Sequence, residues 1–131
     1  MAHTIIRPYP VEFAGELFCQ AVRAGNQVFM MGQVGWDLEG NTVAGDAAAQ
    51  ATQAMQNIKT VLEEAGSKLE HIVKITVYLT DWRHRDAVYG VIAEWMKGIH
   101  YCSTRIAVTA LGRVEFVVEI DVHAVIPDDE A

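Results

Sequence analysis

The last apolar segment of the chain alternates strictly between apolar and polar positions. Every even-numbered position of residues 116–126 is apolar, whereas Glu119, Asp121 and His123 share the opposite side. A period of two residues is typical of a β-strand with one buried face, because successive side chains point to opposite faces of a sheet. We therefore predict a strand whose even positions enter a core and whose odd positions carry polar groups.

Two short β-type runs in the first third of the chain predict a hairpin. Residues 17–23 and 27–31 are separated by Ala24, Gly25 and Asn26, which have the composition of a tight turn. A loop over residues 35–45 follows, and Asp46 is placed to cap the start of a helix about five turns long. Gly66 marks its end, and its apolar residues recur at helical spacing: Ala47, Ala51, Ala54, Met55, Ile58, Val61, Leu62 and Ala65.

The middle of the chain predicts one more strand and one more helix. The odd positions of residues 71–79 are mostly apolar: His71, Val73, Ile75, Val77 and Leu79. Asp81 can cap a second helix that ends at Gly98, with an apolar stripe of Ala87, Val88, Val91, Ile92, Trp95 and Met96. The order ββαβαββ predicts a single α+β domain over residues 1–131, with both helices on one face of a mostly antiparallel sheet.

Arg105 interrupts an apolar run, residues 103–108, that otherwise reads as a strand entering a core. An arginine in such a place requires an anionic partner. If this strand and the final strand pair as a hairpin, the Arg105 guanidinium and the Glu119 carboxylate can face one cleft, which predicts a pocket for a small carboxylate beside an acid that handles water. The alternative is an internal salt bridge from Arg105 to Glu119 or Asp121 that only joins strands or subunits.

Composition limits the partners of this domain. The 131 residues suffice for one core, and a formal net charge of −7 with a pI near 5.1 opposes a nucleic-acid partner. The basic cluster Arg83-His84-Arg85 is interpreted as a solvated helix start.

No signal peptide is recognised, and no apolar run reaches the roughly 18 residues that a membrane span requires. We therefore expect a soluble, cytoplasmic protein.

The residues that commonly bind metals show no ligand pattern. Cys19 and Cys102 lie far apart without CxxC spacing, and the five histidines have no spacing typical of a metal site. We predict no metal and no redox pair. Trp36, Trp82 and Trp95 are interpreted as packing anchors rather than base-stacking platforms.

Two helices can cover only one face of the predicted sheet. The other face carries Glu119, Asp121 and His123 from the last strand and, by alternation, either Arg105 or its neighbours from the strand before. A sheet of five or six strands with a half-apolar open face is rarely left exposed. We therefore expect a homo-oligomer that associates through this face, with a site in a cleft between subunits.

Six short segments, spread in order over nearly the whole chain, carry a family resemblance: Cys19-Gln20-Ala21-Val22 followed by Gly25-Asn26, Gly32-Gln33-Val34, Gln53-Ala54-Met55-Gln56-Asn57-Ile58, Val73-Lys74-Ile75-Thr76-Val77-Tyr78-Leu79-Thr80-Asp81, Thr104-Arg105, and Val118-Glu119-Ile120. None is specific alone, but their order and spacing resemble the Rid family of reactive intermediate deaminases, also called YjgF or RidA. The resemblance implies chorismate-mutase-like subunits in a homotrimer, with three sites in the clefts between neighbours.

The resemblance also implies a reaction. In this family an arginine at the position of Arg105 binds the substrate carboxylate, and a glutamate at the position of Glu119 holds the water. The implied substrates are enamines and imines such as 2-aminoacrylate, which are hydrolysed to 2-keto acids and ammonia without a cofactor.

Elementary chemistry agrees with these roles. An imine carbon beside a carboxylate is already electrophilic, so a protein need only fix the carboxylate, place a water about 3 Å from the carbon and accept its proton. Arg105 offers a planar fork for bidentate binding that a lysine lacks, and Glu119 can accept the proton. Backbone N–H groups near Gly32 and Ala107 are predicted as further substrate contacts.

Three predicted substrate-binding residues depart from the family pattern. Phe18, Met31 and Tyr89 stand where members active on small aliphatic imines usually have tyrosine, serine and asparagine. A more apolar pocket favours a bulkier or conjugated imine. The same changes also suit a non-catalytic trimeric module that binds small carboxylates or keto acids. A ribonuclease role, sometimes attached to the family, is opposed by the acidic composition.

Overall fold

Six strands form one sheet in the computed structural model, which describes residues 3–8, 18–42 and 45–130. The strands are β1 Thr4–Pro8, β2 Cys19–Ala24, β3 Gln27–Met30, β4 Ile72–Leu79, β5 Cys102–Ala107 and β6 Val118–Val125. Their order across the sheet is β1-β2-β3-β6-β4-β5. The helices α1 Ala47–Glu64 and α2 Arg85–Trp95 pack against each other on one side of this sheet. The predicted α+β class and two-layer arrangement are confirmed.

Strand β1 is not anticipated by the hydrophobic pattern, so the observed order is βββαβαββ rather than ββαβαββ. It pairs antiparallel with β2, from Thr4 opposite Arg23 to Pro8 opposite Cys19. Ile6 is its only buried residue. A short edge strand with one buried side chain has no alternating run long enough to detect.

The predicted hairpin and the first helix are confirmed, although Leu17 lies outside the described residues. Strands β2 and β3 pair antiparallel across a turn in which Gly25 has a φ of 63°, a value that glycine adopts without strain. The Asp46 carboxylate accepts a hydrogen bond of 3.0 Å from the backbone N–H of Ala49, which caps α1. The apolar stripe of α1 is buried as predicted.

Strand β4 departs from the predicted alternation at its start. A register shift after Ile72 places an extra residue in the strand, and Val73 is consequently turned outward and is 43% exposed. The expected burial of Val73 is therefore wrong, whereas Ile75, Val77 and Leu79 are buried as predicted.

The last two strands do not form a hairpin. Strand β4 lies between them and pairs parallel with β5 and antiparallel with β6. All six residues of β5 are exposed, because β5 is the free edge of the sheet. The prediction that the strand around Arg105 enters a core is therefore wrong. The even positions of β6 are apolar and favour the central place in the sheet, where they are buried.

Helix α2 is peripheral, which limits what it buries. Val88 and Ile92 are its buried residues, and Met96 is buried immediately after it. Ala87 is exposed, so its predicted place in the buried stripe is wrong. The fully buried stripe of α2 is therefore narrower than predicted.

The face of the sheet opposite the helices is open and partly apolar. Glu119, Asp121 and His123 point to this face and are half-buried, as the alternation predicts. Phe29 and Ile106 share the face through the strand register and are 47% and 39% exposed. This face of the described sheet is therefore a mixed surface that carries large exposed apolar side chains.

Candidate functional site

The strand register separates the two principal site residues. Arg105 pairs with Val77, and Val77 pairs with Ile120, so all three point to the face that the helices cover. Glu119 pairs with Tyr78 and points to the open face. Within one chain, the guanidinium and the carboxylate therefore lie on opposite faces of the sheet. The expectation of one shared cleft within a hairpin is wrong, because β4 is inserted between the two strands.

The first half of the predicted site is a cleft beside β6, which we call the Glu119 cleft. It has a volume of about 290 Å³ and lies between the segment that follows β3 and the loop that precedes β6. Its lining residues are Gln20, Met31, Gly32, Gln33, Val34, Trp36, Asp37, Leu38, Gly40, Gly112, Arg113, Phe116 and Glu119. Three predicted site residues, Met31, Gly32 and Glu119, thus come together here.

Gly32 allows the Glu119 carboxylate to lie directly against the backbone. A Cβ atom added at Gly32 would be 2.7 Å from the Glu119 Cδ, which is closer than real contacts of this kind. The adjacent residue fixes the segment in place, because Gln33 and Ile120 exchange two backbone hydrogen bonds of 2.8 Å. A side chain at position 32 would therefore displace the Glu119 carboxylate from its place in the cleft.

The environment of Glu119 favours its protonated form more than water does. Burial, and after it the nearby carboxylate of Asp121, raises the pKa of Glu119 above its ordinary value of 4.5. Burial also raises the pKa of Asp121, and the neighbouring His123 opposes that shift. A carboxyl group with a raised pKa can both accept and return a proton nearer to neutral pH, which suits general acid–base chemistry.

Two buried glutamines form the polar wall of the same cleft. The Gln33 Nε2 donates to the Gln20 Oε1 at 2.7 Å and to the Met31 backbone oxygen at 3.1 Å. The Met31 N–H donates in turn to the Gln20 backbone oxygen at 2.8 Å. These bonds hold the backbone on both sides of Gly32 and therefore fix one wall of the cleft.

The second half of the predicted site lies at the free edge of the sheet, and we call Tyr89, Arg105 and Ala107 the Arg105 edge. The Arg105 Cζ is 4.7 Å from the centre of the Tyr89 ring, which orients the guanidinium by a cation–π contact. The Tyr89 hydroxyl is buried and has no hydrogen-bond partner among the described residues. The guanidinium itself is exposed and can bind an anion.

Backbone geometry adds a donor to the Arg105 edge. The Val108 N–H donates to the Leu79 oxygen at 2.8 Å, so Val108 faces β4. In a parallel ladder the backbone groups of successive residues alternate between the two sides of the strand. The N–H groups of Ala107 and Arg105 consequently point away from β4, toward the open side of the edge.

Phe18 is the last of the predicted substrate-binding residues, and three residues that were not predicted line the Glu119 cleft. Phe18 precedes β2, is 46% exposed and is not part of either half. Arg113, Asp37 and Trp36 are not among the residues predicted for the site, and Trp36 is predicted only as a packing anchor. All three line the Glu119 cleft. The sequence signal for Arg113 is its place in the segment between β5 and β6.

Two absences hold for the described part of the chain. No helix there is long and apolar enough to cross a membrane. Within residues 3–8, 18–42 and 45–130, no three His, Cys, Asp or Glu side chains are grouped as metal ligands would be.

Comparison with known proteins identifies the family. The family model described as "Endoribonuclease L-PSP" matches residues 12–126. The chain belongs to this family, which also carries the names YjgF, RutC and Rid. A RutC family protein of Pyrococcus abyssi is 46% identical over 79 residues, which are 60% of this chain and 62% of the relative. A 2-iminobutanoate/2-iminopropanoate deaminase of Dermatophagoides farinae is 32% identical over 61% of this chain and 63% of its own length. These matches therefore span less than two thirds of either relative.

Solved structures of the Rid family have the same fold. Yeast Mmf1 superposes with a TM-score of 0.86 at 27% identity and covers 96% of this chain and 100% of its own. RidA from a Psychrobacter species superposes with a TM-score of 0.83 at 32% identity over 94% of this chain and 99% of its own. The chorismate-mutase-like fold expected from the sequence is confirmed. One curated relative is named as a mitochondrial protein, so membership of the Rid family does not fix a compartment.

Proposed function

We propose that this Rid family protein hydrolyses enamine and imine intermediates to keto acids and ammonia, at a site that two copies of the chain build together. The observation that carries the proposal is the separation of Arg105 and Glu119 onto opposite faces of one sheet. The two halves are complementary, because the Arg105 edge supplies an anion-binding group without a carboxylate and the Glu119 cleft supplies the proton acceptor. A neighbouring copy that brings its edge to this cleft completes the site.

The open face of the sheet supports self-association. Phe29 and Ile106 expose apolar surface there, beside the half-buried polar groups of β6. Burial of such surface stabilises an interface by about 25 cal/mol per Å² before the cost of association is subtracted. We propose a closed homotrimer, in which every edge meets a neighbouring cleft and three equivalent sites result.

The chemistry requires only the groups already described. Arg105 binds the carboxylate beside the imine carbon and aligns that carbon with a water held at Glu119. The substrate reacts as the protonated imine, which an enamine forms by taking up a proton on carbon. The water oxygen adds to the imine carbon while Glu119 accepts a proton from that water, which gives a neutral carbinolamine. Glu119 then returns the proton to the nitrogen, the C–N bond breaks with its electron pair on the departing ammonia, and the C=O bond forms as the hydroxyl proton passes back to Glu119. One water is consumed for each keto acid and ammonia, and we propose that no cofactor takes part.

Release of keto acid from freshly generated imines tests this function directly. An amino-acid oxidase or a dehydratase would generate aliphatic, aromatic and conjugated imino acids in the presence and absence of the protein. We expect keto acid and ammonia to form faster with the protein than without it, for at least one imine of the panel. Formation at the spontaneous rate for every imine would contradict the deaminase function.

A binding module without catalysis is the second candidate, and the apolar Met31 in the Glu119 cleft favours it. Met31 supplies no hydroxyl with which to hold a water. Keto-acid binding that depends on Arg105, in a protein that accelerates no imine hydrolysis, would establish this candidate. We propose small carboxylates rather than nucleic acid as the ligand in either case, because the net charge of −7 disfavours a polyanion.

The pH dependence of turnover should report the environment of Glu119. Turnover requires the carboxylate form, so it should rise with pH through a midpoint above 4.5, since burial and Asp121 both raise the pKa of Glu119. Asp121→Asn removes the smaller cause and should move the midpoint to lower pH. Initial rates corrected for spontaneous hydrolysis would measure this. A midpoint that stays unchanged or rises in Asp121→Asn would contradict the assignment.

A further inference from the structure

The Glu119 cleft contains an arginine, Arg113, that takes no part in the proposed hydrolysis. Arg113 belongs to the loop between β5 and β6, and its Cζ is 4.8 Å from the centre of the Trp36 ring. Trp36 stacks in turn on Phe116, with ring centres 6.4 Å apart and an angle of 28° between the planes. The guanidinium is thus supported on one face by an aromatic pair, while its N–H edges remain available for a planar anion.

Helix α1 anchors the loop that carries Arg113. The buried Gln50 side chain donates from its Nε2 to the Glu115 backbone oxygen at 2.9 Å, and its Oε1 accepts from the Val117 N–H at 2.9 Å. A buried amide that bonds both sides of a short segment restricts the backbone of that segment. Arg113 is therefore presented from an anchored loop, and less entropy is lost when it binds a ligand.

The Arg113 guanidinium makes no strong ion pair with the described residues of the protein. Its nearest carboxylate, that of Glu115, is 4.0 Å away, and both side chains are half-exposed. Such a pair contributes little. Arg83, by contrast, is hydrogen-bonded to Asp81 at 2.6 Å. Among the described residues Arg113 makes no side-chain hydrogen bond, so its donors are free to bind a ligand anion.

The Asp37 carboxylate also lines the Glu119 cleft, but it does not pair with the Arg113 guanidinium. The Asp37 carboxylate is occupied by its own turn, because it accepts hydrogen bonds from the N–H groups of Glu39 and Asn41 at 2.9 and 3.0 Å. Arg113 is the only cationic group among the described lining residues, and Met31 and Leu38 provide an apolar wall. The cleft thus combines an apolar wall, which can contact the carbon chain of a ligand, with one arginine that can bind an anion.

We propose that Arg113 binds a second carboxylate of the substrate, so that the preferred imines and enamines are dicarboxylic. The inference rests on the proposed function, in which Arg105 of a neighbouring copy already binds the carboxylate beside the imine carbon. A substrate that extends along the apolar wall places its distal carboxylate at Arg113. Two charge-assisted contacts at opposite ends would select against monocarboxylic imines of similar size.

Calorimetric binding of two keto acids tests the inference in the assembled protein. 2-Oxoglutarate and 2-oxobutanoate serve as dicarboxylic and monocarboxylic probes, with wild type, Arg113→Gln and Arg85→Gln. Arg85 is a matched control because its Cζ lies 5.5 Å from the centre of the Trp82 ring, outside the Glu119 cleft. We expect wild type and Arg85→Gln to bind the dicarboxylate about 10- to 100-fold more tightly. We expect Arg113→Gln to lose this preference and retain its affinity for the monocarboxylate.

The outcomes separate this inference from the proposed function. Arg113→Lys should keep part of the preference, since it retains the charge without the planar fork, and it checks that the glutamine variant is not simply misfolded. A preference that persists in Arg113→Gln, or wild-type protein that binds both probes equally or neither, would overturn the inference. Hydrolysis of monocarboxylic imines without any dicarboxylate preference would overturn it and leave the proposed function standing. Dicarboxylate binding that needs Arg113, without imine hydrolysis, would support Arg113 and contradict the deaminase.

Discussion

Arg105→Ala is expected to lower kcat/KM for imine hydrolysis by about 10²- to 10⁴-fold. The estimate follows from the loss of two charge-assisted hydrogen bonds of about 1.5–3 kcal/mol each to the substrate carboxylate. Because Arg105 is exposed at the sheet edge, its removal should leave the fold intact. Keto-acid release from a freshly generated imine measures the rate, and calorimetry measures the parallel loss of keto-acid affinity.

Two further variants separate geometry from charge at the Arg105 edge. Arg105→Lys retains the charge but loses the planar fork on Tyr89, so we expect an intermediate rate. Arg83→Ala removes an exposed arginine outside both halves of the site and should behave as wild type. Wild-type turnover in Arg105→Ala would show that the substrate carboxylate is bound elsewhere.

Glu119→Gln is expected to separate binding from chemistry. The amide keeps the size of the side chain and cannot accept a proton, so kcat should fall by about 10²- to 10⁴-fold. Keto-acid affinity should change little, because the carboxylate-binding group lies at the Arg105 edge. The variant also removes a group whose pKa is raised by burial and by Asp121, so the acid limb of the pH profile should disappear.

The matched control for this variant is Glu70→Gln, an exposed glutamate of the Leu69–His71 turn, which should leave the rate unchanged. Loss of keto-acid binding in Glu119→Gln, together with the loss of turnover, would indicate that Glu119 holds the ligand rather than the water. An undiminished kcat would assign proton transfer to another group.

The sequence predicts local structure well where one periodicity governs a whole element. The alternation of β6 gives both its buried face and the open-face position of Glu119. The same applies to α1, where the Asp46 cap and the apolar stripe agree. The prediction for Val73 is wrong because a β-bulge depends on how two strands pair, and the pattern within one strand does not encode that pairing.

The arrangement of the site depends on strand order, which periodicity does not determine. Arg105 and Glu119 are on neighbouring strands in sequence, yet β4 is inserted between those strands, and its register places Arg105 on the face opposite Glu119. The family resemblance therefore predicts both residues, while their placement on opposite faces of the sheet does not follow from the sequence. The role proposed for Arg113 does not follow from the sequence, because it depends on a contact with the Trp36 ring, which lies far away in the chain.

Activity in mixed oligomers tests the central claim most directly. Arg105→Ala and Glu119→Gln would be co-expressed with different affinity tags, and oligomers that contain both would be purified and assayed beside each parent. In every trimer that contains both variants, one of the three sites takes its edge from a Glu119→Gln copy and its cleft from an Arg105→Ala copy and is therefore intact, so we predict about a third of wild-type turnover. Mixed oligomers as inactive as either parent would contradict a site shared between two copies.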